Sequence, residues 1–271
     1  MTASRTRAAL GLLVVALAAL AGCSSAGGAT DASAASSAGG AEQPSPAPDV
    51  TGEVVVLAAA SLTDAFTALG EQFEQQHPGA RVTFSFGASS ALAQQVLAGA
   101  PADVLATAST STMGQVADLT GTPEVVATNT LQIAVPAGNP GGVTGVEDFA
   151  DPDLTLALCA VEVPCGAAAQ EMFARAGVVP LPDTYEKDVS ATLTKVVLGE
   201  VDAAVVYRTD VLAAGDAVEG VDVPEDVDVV NEYPVAVLAD APNPGAAAAF
   251  RDLVLSVVGA EVLEAAGFVV S

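Results

Sequence analysis

The 271-residue chain carries 33 acidic residues against eight basic ones, which gives a formal net charge of −25, and 51% of its residues are hydrophobic. Such a charge repels the phosphates of nucleic acids and the headgroups of anionic lipids, so neither class is expected as a partner. The single histidine, His77, leaves the sequence without a Ser-His-Asp triad or an HExxH motif, which argues against the common hydrolase sites.

The N-terminal segment is typical of a secretion signal. Arg5 and Arg7 precede an apolar run over residues 8–21 that is too short for an ordinary transmembrane helix. The run ends in LAGC, residues 20–23, which resembles the lipobox of bacterial lipoproteins, in which the cysteine is diacylated and becomes the first mature residue. We therefore expect residues 1–22 to be a lipoprotein signal peptide and Cys23 to be lipidated. A plain signal peptide, cleaved after the ALA of residues 16–18, is the alternative.

Residues 23–51 are predicted to combine the lipidated cysteine with a disordered linker. This stretch consists mainly of Ser, Ala, Gly and Pro and contains almost no large apolar residue, so it cannot bury enough surface to order itself. A flexible tether behind a lipidated cysteine would hold a folded domain close to the membrane. We therefore expect an extracytoplasmic protein that is lipid-anchored to the cell membrane and contacts the membrane through that anchor only.

From residue 52 onward, predicted strands and helices alternate along the chain. The predicted strands are 54–60, 80–86, 103–108, 130–138, 154–160, 202–208 and 232–240. The predicted helices are 62–76, 90–99, 111–119, 166–177, 189–200, 245–257 and 260–266. This alternation predicts an α/β fold in which a parallel or mixed sheet is covered by helices on both faces.

Two cysteines remain in the folded part, Cys159 and Cys165. Outside the cytoplasm, an even pair at this short spacing is expected to form a disulfide bond. A zinc site is the alternative, but it needs four ligands and the only histidine is His77, which precedes a proline. The acidic segment 222–228 lacks the spacing and the central glycine of an EF-hand loop, so we expect no calcium site there.

Small or hydroxyl-bearing residues recur where a predicted strand passes into a predicted helix. Ser61, Ser89, Cys165 and Val189 all lie at such junctions, and none of the four is itself a cation. Backbone N–H groups at several helix N-termini can together hold one anion. For Ser61 a simpler interpretation stays open, because Ser61 and Asp64 form an S-x-x-D pattern in which the serine only caps the helix.

Four stretches of the sequence resemble the periplasmic molybdate-binding proteins of ABC importers. They are AAASLTDAF (58–66), FGASSALAQQVLAGAPADVLATA (86–108), VVYRTD (205–210) and EYPVAV (232–237). The resemblance extends through residues 52–271 and implies a type II periplasmic-binding-protein fold. In that fold two lobes, each a mixed sheet flanked by helices, enclose the ligand in the cleft between them.

The resemblance also implies how the chain divides between the lobes. Residues 52–132 and 235–271 would form lobe 1, and residues 133–234 would form lobe 2, so that the chain crosses the hinge twice. The implied partners are the permease and the ATPase of the importer. The protein itself is expected to be a monomer.

By the same resemblance, five positions bind the oxyanion, molybdate or tungstate. Ser61 and Ser89 would donate a hydroxyl and a backbone N–H, Cys165 and Val189 a backbone N–H, and Tyr207 its phenol O–H. No catalytic residue, no cofactor and no metal beyond the oxyanion is expected. The cysteine pair departs from the family's pattern, although a backbone donor tolerates a change of side chain.

A site made only of donors limits which anion it can hold. Phosphate carries a proton near neutral pH and needs an acceptor, normally a carboxylate, which none of the five positions supplies. Sulfate also needs only donors, so a receptor for sulfate or another small oxyanion is the alternative. Tungstate and molybdate are almost the same size, so the sequence does not separate them.

A more remote alternative is an extracytoplasmic enzyme on the same scaffold. Such an enzyme would need a nucleophile or a general base in the cleft. Asp64 and Asp103 are the carboxylates nearest to the ends of predicted strands, and the sequence shows no histidine or lysine partner for either.

Overall fold

The computed structural model describes residues 50–270 of the chain. The predicted signal peptide, Cys23 and almost all of the predicted linker lie outside the described residues. Within residues 50–270, no helix is both long enough and apolar enough to cross a membrane.

Strands and helices alternate along the described residues. The strands are β1 Thr51–Ala59, β2 Gly79–Gly87, β3 Val104–Ala106, β4 Glu124–Asn129, β5 Leu131–Pro136, β6 Leu156–Cys159, β7 Thr184–Glu186, β8 Ala203–Tyr207, β9 Val218–Asp222 and β10 Asn231–Val237. The α-helices are α1 Thr63–Gln76, α2 Ser89–Leu97, α3 Thr110–Gly114, α4 Pro164–Ala176, α5 Val189–Val197, α6 Arg208–Ala214, α7 Pro244–Val254 and α8 Val257–Ala265.

The strands form two five-stranded mixed sheets, one for each lobe. The first has the order β2-β1-β3-β10-β4, in which β1, β2 and β3 are parallel and β10 is antiparallel to both of its neighbours. The second has the order β7-β6-β8-β5-β9, in which β6, β7 and β8 are parallel and β5 is antiparallel to both β8 and β9. The predicted fold class, two mixed sheets flanked by helices, is therefore confirmed.

Each lobe has its own hydrophobic core between its sheet and its helices. In lobe 1 the rings of Phe66 and Phe73 meet the ring of Phe250 edge to face, with centroids 6.1 and 5.5 Å apart. In lobe 2 Phe149 packs against Phe173. Each fully buried aromatic or aliphatic side chain contributes roughly 1.5–3 kcal/mol to folding. The described residues form three such buried clusters, two in lobe 1 and one in lobe 2, so each lobe has its own source of stability.

The chain crosses between the sheets at two neighbouring points. β4 ends at Asn129 in the first sheet and β5 begins at Leu131 in the second. The chain returns where β10 begins in the first sheet at Asn231, which lies directly opposite Asn129 in the β4–β10 pairing. The lobe boundaries expected after 132 and 234 stay predictions; in the sheets, the chain leaves β4 after Asn129 and enters β10 at Asn231.

Several predicted elements change in detail. The predicted helix 111–119 is interrupted, because α3 ends at Gly114 and only a 3-10 turn follows at Ala117–Leu119. Glycine is a poor helix former, which accounts for the break. The sequence interpretation also missed β4, β7, β9 and α6, which are short or follow a neighbouring element without a turn signal.

Candidate functional site

All five residues predicted to bind the ligand border one small cavity between the lobes. Its lining consists of strand ends and helix starts from both lobes, namely Ala59, Ala60, Ser61, Gly87, Ala88, Ser89, Ala108, Val163, Pro164, Cys165, Asp188, Val189 and Tyr207. The cavity has a volume of about 20 Å³. A single water molecule needs roughly 10–15 Å³, whereas clefts for drug-sized ligands have volumes on the order of 300–1,000 Å³. The cavity therefore suits a compact solute of a few atoms.

Three helices direct their N-termini at this cavity. Ser89 is the first residue of α2, Cys165 the second residue of α4 and Val189 the first residue of α5. The first N–H groups of a helix have no carbonyl partner within that helix, and they carry the positive end of its dipole. None of the residues that line the cavity is cationic. The groups at this site that can attract an anion are therefore uncharged backbone N–H groups and hydroxyls.

Ser61 lies in the 3-10 turn between β1 and α1. Its Oγ is 3.0 Å from the hydroxyl of Tyr233. Neither the 3-10 turn nor α1 has a side-chain cap hydrogen bond at its start. The capping interpretation of Ser61 is therefore wrong, because its hydroxyl is paired with a residue 172 positions away and not with a helix amide.

Ser89 is buried, and its Oγ accepts a hydrogen bond from the backbone N–H of Ala108 at 2.9 Å. A hydroxyl has one proton to donate and can accept as well. Because the oxygen of Ser89 already accepts from a backbone amide, its proton is left to donate to a ligand in the cavity.

Tyr207 contributes a buried donor that has no partner. Its side chain is 1% exposed, and its hydroxyl has no hydrogen-bond partner among the described residues. Leaving a buried polar group unpaired costs about 1–3 kcal/mol. Burial raises the pKa of Tyr207 well above its ordinary value, and the nearby Tyr233 and Asp210 raise it further. Tyr207 therefore keeps its proton at neutral pH and can donate it to a ligand.

The cavity wall formed by α4 is fixed covalently and sterically. The sulfur atoms of Cys159 and Cys165 are bonded, and the two Cα atoms are 5.8 Å apart. The next residue, Gly166, approaches the preceding loop so closely that a Cβ there would lie 2.0 Å from the carbonyl oxygen of Ala160. The Sγ of Cys159 also lies 3.3 Å from the Oγ1 of Thr192 in α5. The disulfide thus braces the start of α4 against both β6 and α5.

Asp188 borders the cavity and was missed by the sequence interpretation. It is the N-cap of α5, and its Oδ1 accepts a hydrogen bond from the N–H of Ala191 at 2.8 Å. An aspartate directly before the first residue of a helix is a common N-cap, because its carboxylate accepts a hydrogen bond from an N–H of the first turn. This signal was present in the sequence. The argument that the site lacks a carboxylate holds for the five predicted positions but not for the whole cavity wall.

Asp210 supports the site from behind Tyr207. Its Oδ2 accepts a hydrogen bond from the backbone N–H of Tyr207 at 2.9 Å. Burial raises the pKa of Asp210 to about 7; the hydrogen bond from Tyr207 lowers it in part, and the charges of Asp64 and Asp188 raise it further. Asp210 also lines a larger cleft of about 590 Å³, which opens beside Ser61 between α1, α5, α6 and α8.

The two carboxylates considered for catalysis do not form a catalytic pair. Asp103 is 1% exposed, and it accepts hydrogen bonds from the backbone N–H groups of Val55 and Asn243 at 2.8 and 2.7 Å. Asp64 is exposed at the rim of the larger cleft. Among the described residues, no group of three or more His, Cys, Asp or Glu side chains is arranged to hold a metal ion.

Comparisons with known proteins identify the family to which this sequence is similar. The sequence model of a family described as bacterial extracellular solute-binding protein matches residues 54–269. The molybdate-binding protein ModA of Mycobacterium bovis is 41% identical over 218 residues, which cover 79% of this chain and 84% of the relative. The protein of the same name from Escherichia coli is 31% identical over 240 residues, which cover 81% of this chain and 90% of the relative.

A solved structure shows the same fold. The periplasmic molybdate-binding protein of Azotobacter vinelandii superposes with a TM-score of 0.71 at 17% identity, and the match covers 80% of this chain and 99% of that chain. At this level of identity the superposition is evidence for the two-lobe fold alone.

Replacing Cys159 and Cys165 together by alanine should lower the free energy of unfolding by about 2 kcal/mol, because a short covalent loop is lost. Thermal unfolding with and without reductant measures this effect. Reductant should destabilise the wild type and leave the double variant unchanged, which makes the double variant its own control. A wild type that unfolds at the same temperature in both conditions would contradict the prediction.

Asp210 should make stability depend on pH. Its pKa is about 7 in the folded protein against an ordinary value of 3.8, so between these values the folded state holds a proton that the unfolded state has lost. The contribution of Asp210 to the free energy of unfolding is therefore largest below pH 3.8 and is lost as the pH rises to about 7. Each pKa unit corresponds to 1.36 kcal/mol, so the total is at most about 4 kcal/mol.

Asp210→Asn, which keeps an acceptor for the N–H of Tyr207, should remove this dependence. Denaturant unfolding at pH 4, 5.5 and 7.5 would then show the variant gaining stability relative to the wild type as the pH rises. The exposed Asp216→Asn is the matched control. Parallel stability profiles for the wild type and Asp210→Asn would contradict the prediction.

Proposed function

This chain belongs to the family of bacterial extracellular solute-binding proteins, and from that membership we propose that it captures molybdate outside the cytoplasm and delivers it to an ABC importer. The observation that carries the proposal is the buried hydroxyl of Tyr207, which has no hydrogen-bond partner among the described residues and borders a cavity that also contains two serines and the N-termini of three helices. Proteins of this family bind a substrate for transport. We accordingly propose binding and release rather than catalysis as the role of the cavity.

The proposed ligand set consists of Ser61, Ser89, Cys165, Val189 and Tyr207. Two donors come from lobe 1 and three from lobe 2, so both lobes would contribute to one anion. Each hydrogen bond from these groups to a charged oxygen contributes about 1.5–3 kcal/mol. Several such bonds together replace the hydration shell of a dianion, and no arginine or lysine is required for that.

The proposed selectivity follows from the same set. A fully deprotonated dianion needs only donors, and molybdate and tungstate meet this condition equally. Phosphate must place a proton at neutral pH, and none of the five proposed donors supplies a carboxylate to accept it; Asp188, at the cavity wall, serves as a helix cap through its Oδ1. We therefore propose that phosphate is excluded by its proton and that sulfate is discriminated by its smaller size.

Isothermal titration of the domain from residue 52 onward tests this function. Molybdate and tungstate should bind with comparable affinity, sulfate much more weakly, and phosphate not measurably. Binding of sulfate as tight as that of molybdate would replace the assignment by a general oxyanion receptor. Absence of binding for all four anions would overturn the function altogether.

Donor-removing variants in the same titration test the ligand set. Tyr207→Phe and Ser61→Ala should each weaken molybdate binding by roughly tenfold or more, because one charge-assisted hydrogen bond is lost. The exposed Tyr185→Phe and Ser85→Ala are matched controls and should bind as the wild type does. Unchanged affinity in both Tyr207→Phe and Ser61→Ala would remove these residues from the site.

We further propose that the protein is a lipoprotein held at the outer face of the cell membrane through Cys23. The support is the lipobox-like LAGC at residues 20–23, followed by a linker poor in large apolar residues. The proposed partners are the permease and the ATPase of the importer. All five proposed donors belong to one chain, so we propose a monomer, which analytical ultracentrifugation of the domain would contradict by returning a dimer mass.

Cys23→Ser should release the protein from the membrane, because a lipidated cysteine is the only anchor proposed here. Fractionation of expressing cells would then find the wild type in the membrane fraction and the variant in the soluble extracytoplasmic fraction or the medium. A wild type that is itself soluble would indicate a plain signal peptide.

A further inference from the structure

We infer that Asn129 and Asn231, which lie opposite each other where β4 and β10 meet the lobe crossings, are positioning residues for the two serine donors of lobe 1. Neither asparagine lines the ligand cavity. Each is connected to one serine through a single intermediate residue. The inference rests on the proposed function of that cavity as an oxyanion site and adds how its donors are held.

The first connection leads from Asn129 to Ser61 through Tyr233. The Nδ2 of Asn129 lies 3.5 Å from the hydroxyl of Tyr233, and that hydroxyl lies 3.0 Å from the Oγ of Ser61. The amide nitrogen of Asn129 can only donate, so the Tyr233 oxygen accepts from it. Either hydroxyl can donate in the contact between Tyr233 and Ser61, and this contact holds the Oγ of Ser61 in place at the cavity.

The orientation of the Asn129 amide is fixed by its other contacts. Its Oδ1 accepts a hydrogen bond from the N–H of Thr130 at 3.0 Å, and its Nδ2 donates to the Oγ1 of Thr209 at 2.8 Å. The opposite orientation would turn the NH₂ group of Asn129 toward the N–H of Thr130, and two donors would then face each other. The Nδ2 of Asn129 therefore faces Thr209 and Tyr233. Asn129 and Tyr233 are both at least 98% buried, and water cannot readily replace either contact.

The second connection leads from Asn231 to Ser89 through Ala108. The Nδ2 of Asn231 donates to the carbonyl oxygen of Ala108 at 2.8 Å. The N–H of Ala108 in turn donates to the Oγ of Ser89 at 2.9 Å. The oxygen of Ser89 is thereby occupied as an acceptor, and its hydroxyl proton is available to the cavity.

Asn129 also reaches into lobe 2. Thr209 belongs to α6, and the N-cap of that helix is Tyr207, the proposed phenol donor. The rings of Tyr207 and Tyr233 pack edge to face across the lobes with centroids 6.1 Å apart. Asn129 therefore contacts Tyr233, which holds the donor Ser61 of lobe 1, and Thr209, whose helix begins next to the donor Tyr207 of lobe 2. The positions of these donors thus depend on the position of the chain at the first crossing.

Tyr233→Phe tests the first connection with the smallest change, because the ring and its packing against Tyr207 and Phe268 are kept. Molybdate affinity should fall about three- to tenfold, as for one supporting hydrogen bond. The exposed Tyr185→Phe is the matched control.

A double-mutant cycle separates positioning from a merely structural role. In a Ser61→Ala background, Tyr233→Phe should cause little further loss of molybdate affinity, because the hydroxyl that it positions is already absent. A structural role would instead lower the melting temperature of the unliganded domain and would leave the two affinity losses additive. Asn231→Ala combined with Ser89→Ala repeats the cycle on the second connection. Asn129→Ala in place of Tyr233→Phe tests the first asparagine itself. If either alanine variant does not fold, the leucine variant, which keeps the side-chain size and lacks the amide donor, replaces it in the cycle.

The outcomes distinguish this inference from the proposed function. If the wild type binds molybdate and Tyr233→Phe binds it equally well, or the cycle is additive, the positioning role is overturned and the function stands. If the wild type binds none of molybdate, tungstate and sulfate, the function falls and this inference falls with it. A non-additive cycle in a wild type that binds molybdate supports both.

Discussion

The proposed site depends on one constraint: to be captured, a dianion would have to lose its water and be held by a protein whose own formal charge is −25. A buried cation would satisfy the charge, but it would have to be desolvated itself and would carry that cost whenever the cleft is empty. Neutral N–H and O–H groups avoid the cost, provided that enough of them converge and that each is already oriented. In this protein the orientation is provided by helix starts, by the disulfide at α4 and by the contacts that hold the hydroxyls of Ser61 and Ser89.

The two-lobe α/β architecture brings such groups together efficiently. In each sheet, parallel strands end at the same edge, and the chain turns there into a helix whose first amides are unpaired. Two sheets that face each other across a cleft then supply helix N-termini from opposite sides. Because the lobes have separate cores, the cleft can be lined with polar groups without loss of the hydrophobic contacts that stabilise each lobe.

The sequence was informative wherever the determinant is local. The strand–helix alternation predicted the α/β class, the C-x5-C spacing predicted the pairing of Cys159 and Cys165 that the structure contains, and the family resemblance placed five residues that prove to border one cavity. The determinants that were missed act over long distances. Ser61 looked like a helix cap because its actual partner, Tyr233, is 172 residues away. The sequence also does not indicate that the chain passes between the sheets near Asn129 and Asn231, because the partners of a strand are distant in sequence.

The division of the proposed donors between the lobes explains how tight capture can be compatible with release. Ser61 and Ser89 belong to lobe 1, whereas Cys165, Val189 and Tyr207 belong to lobe 2. If the lobes separate, each half retains only part of the donors, and the oxyanion must regain water at the oxygen atoms that it exposes. Affinity then depends on closure rather than on any single strong contact. A fixed cationic pocket within one lobe would retain the anion after opening, and neutral donors shared between two lobes do not.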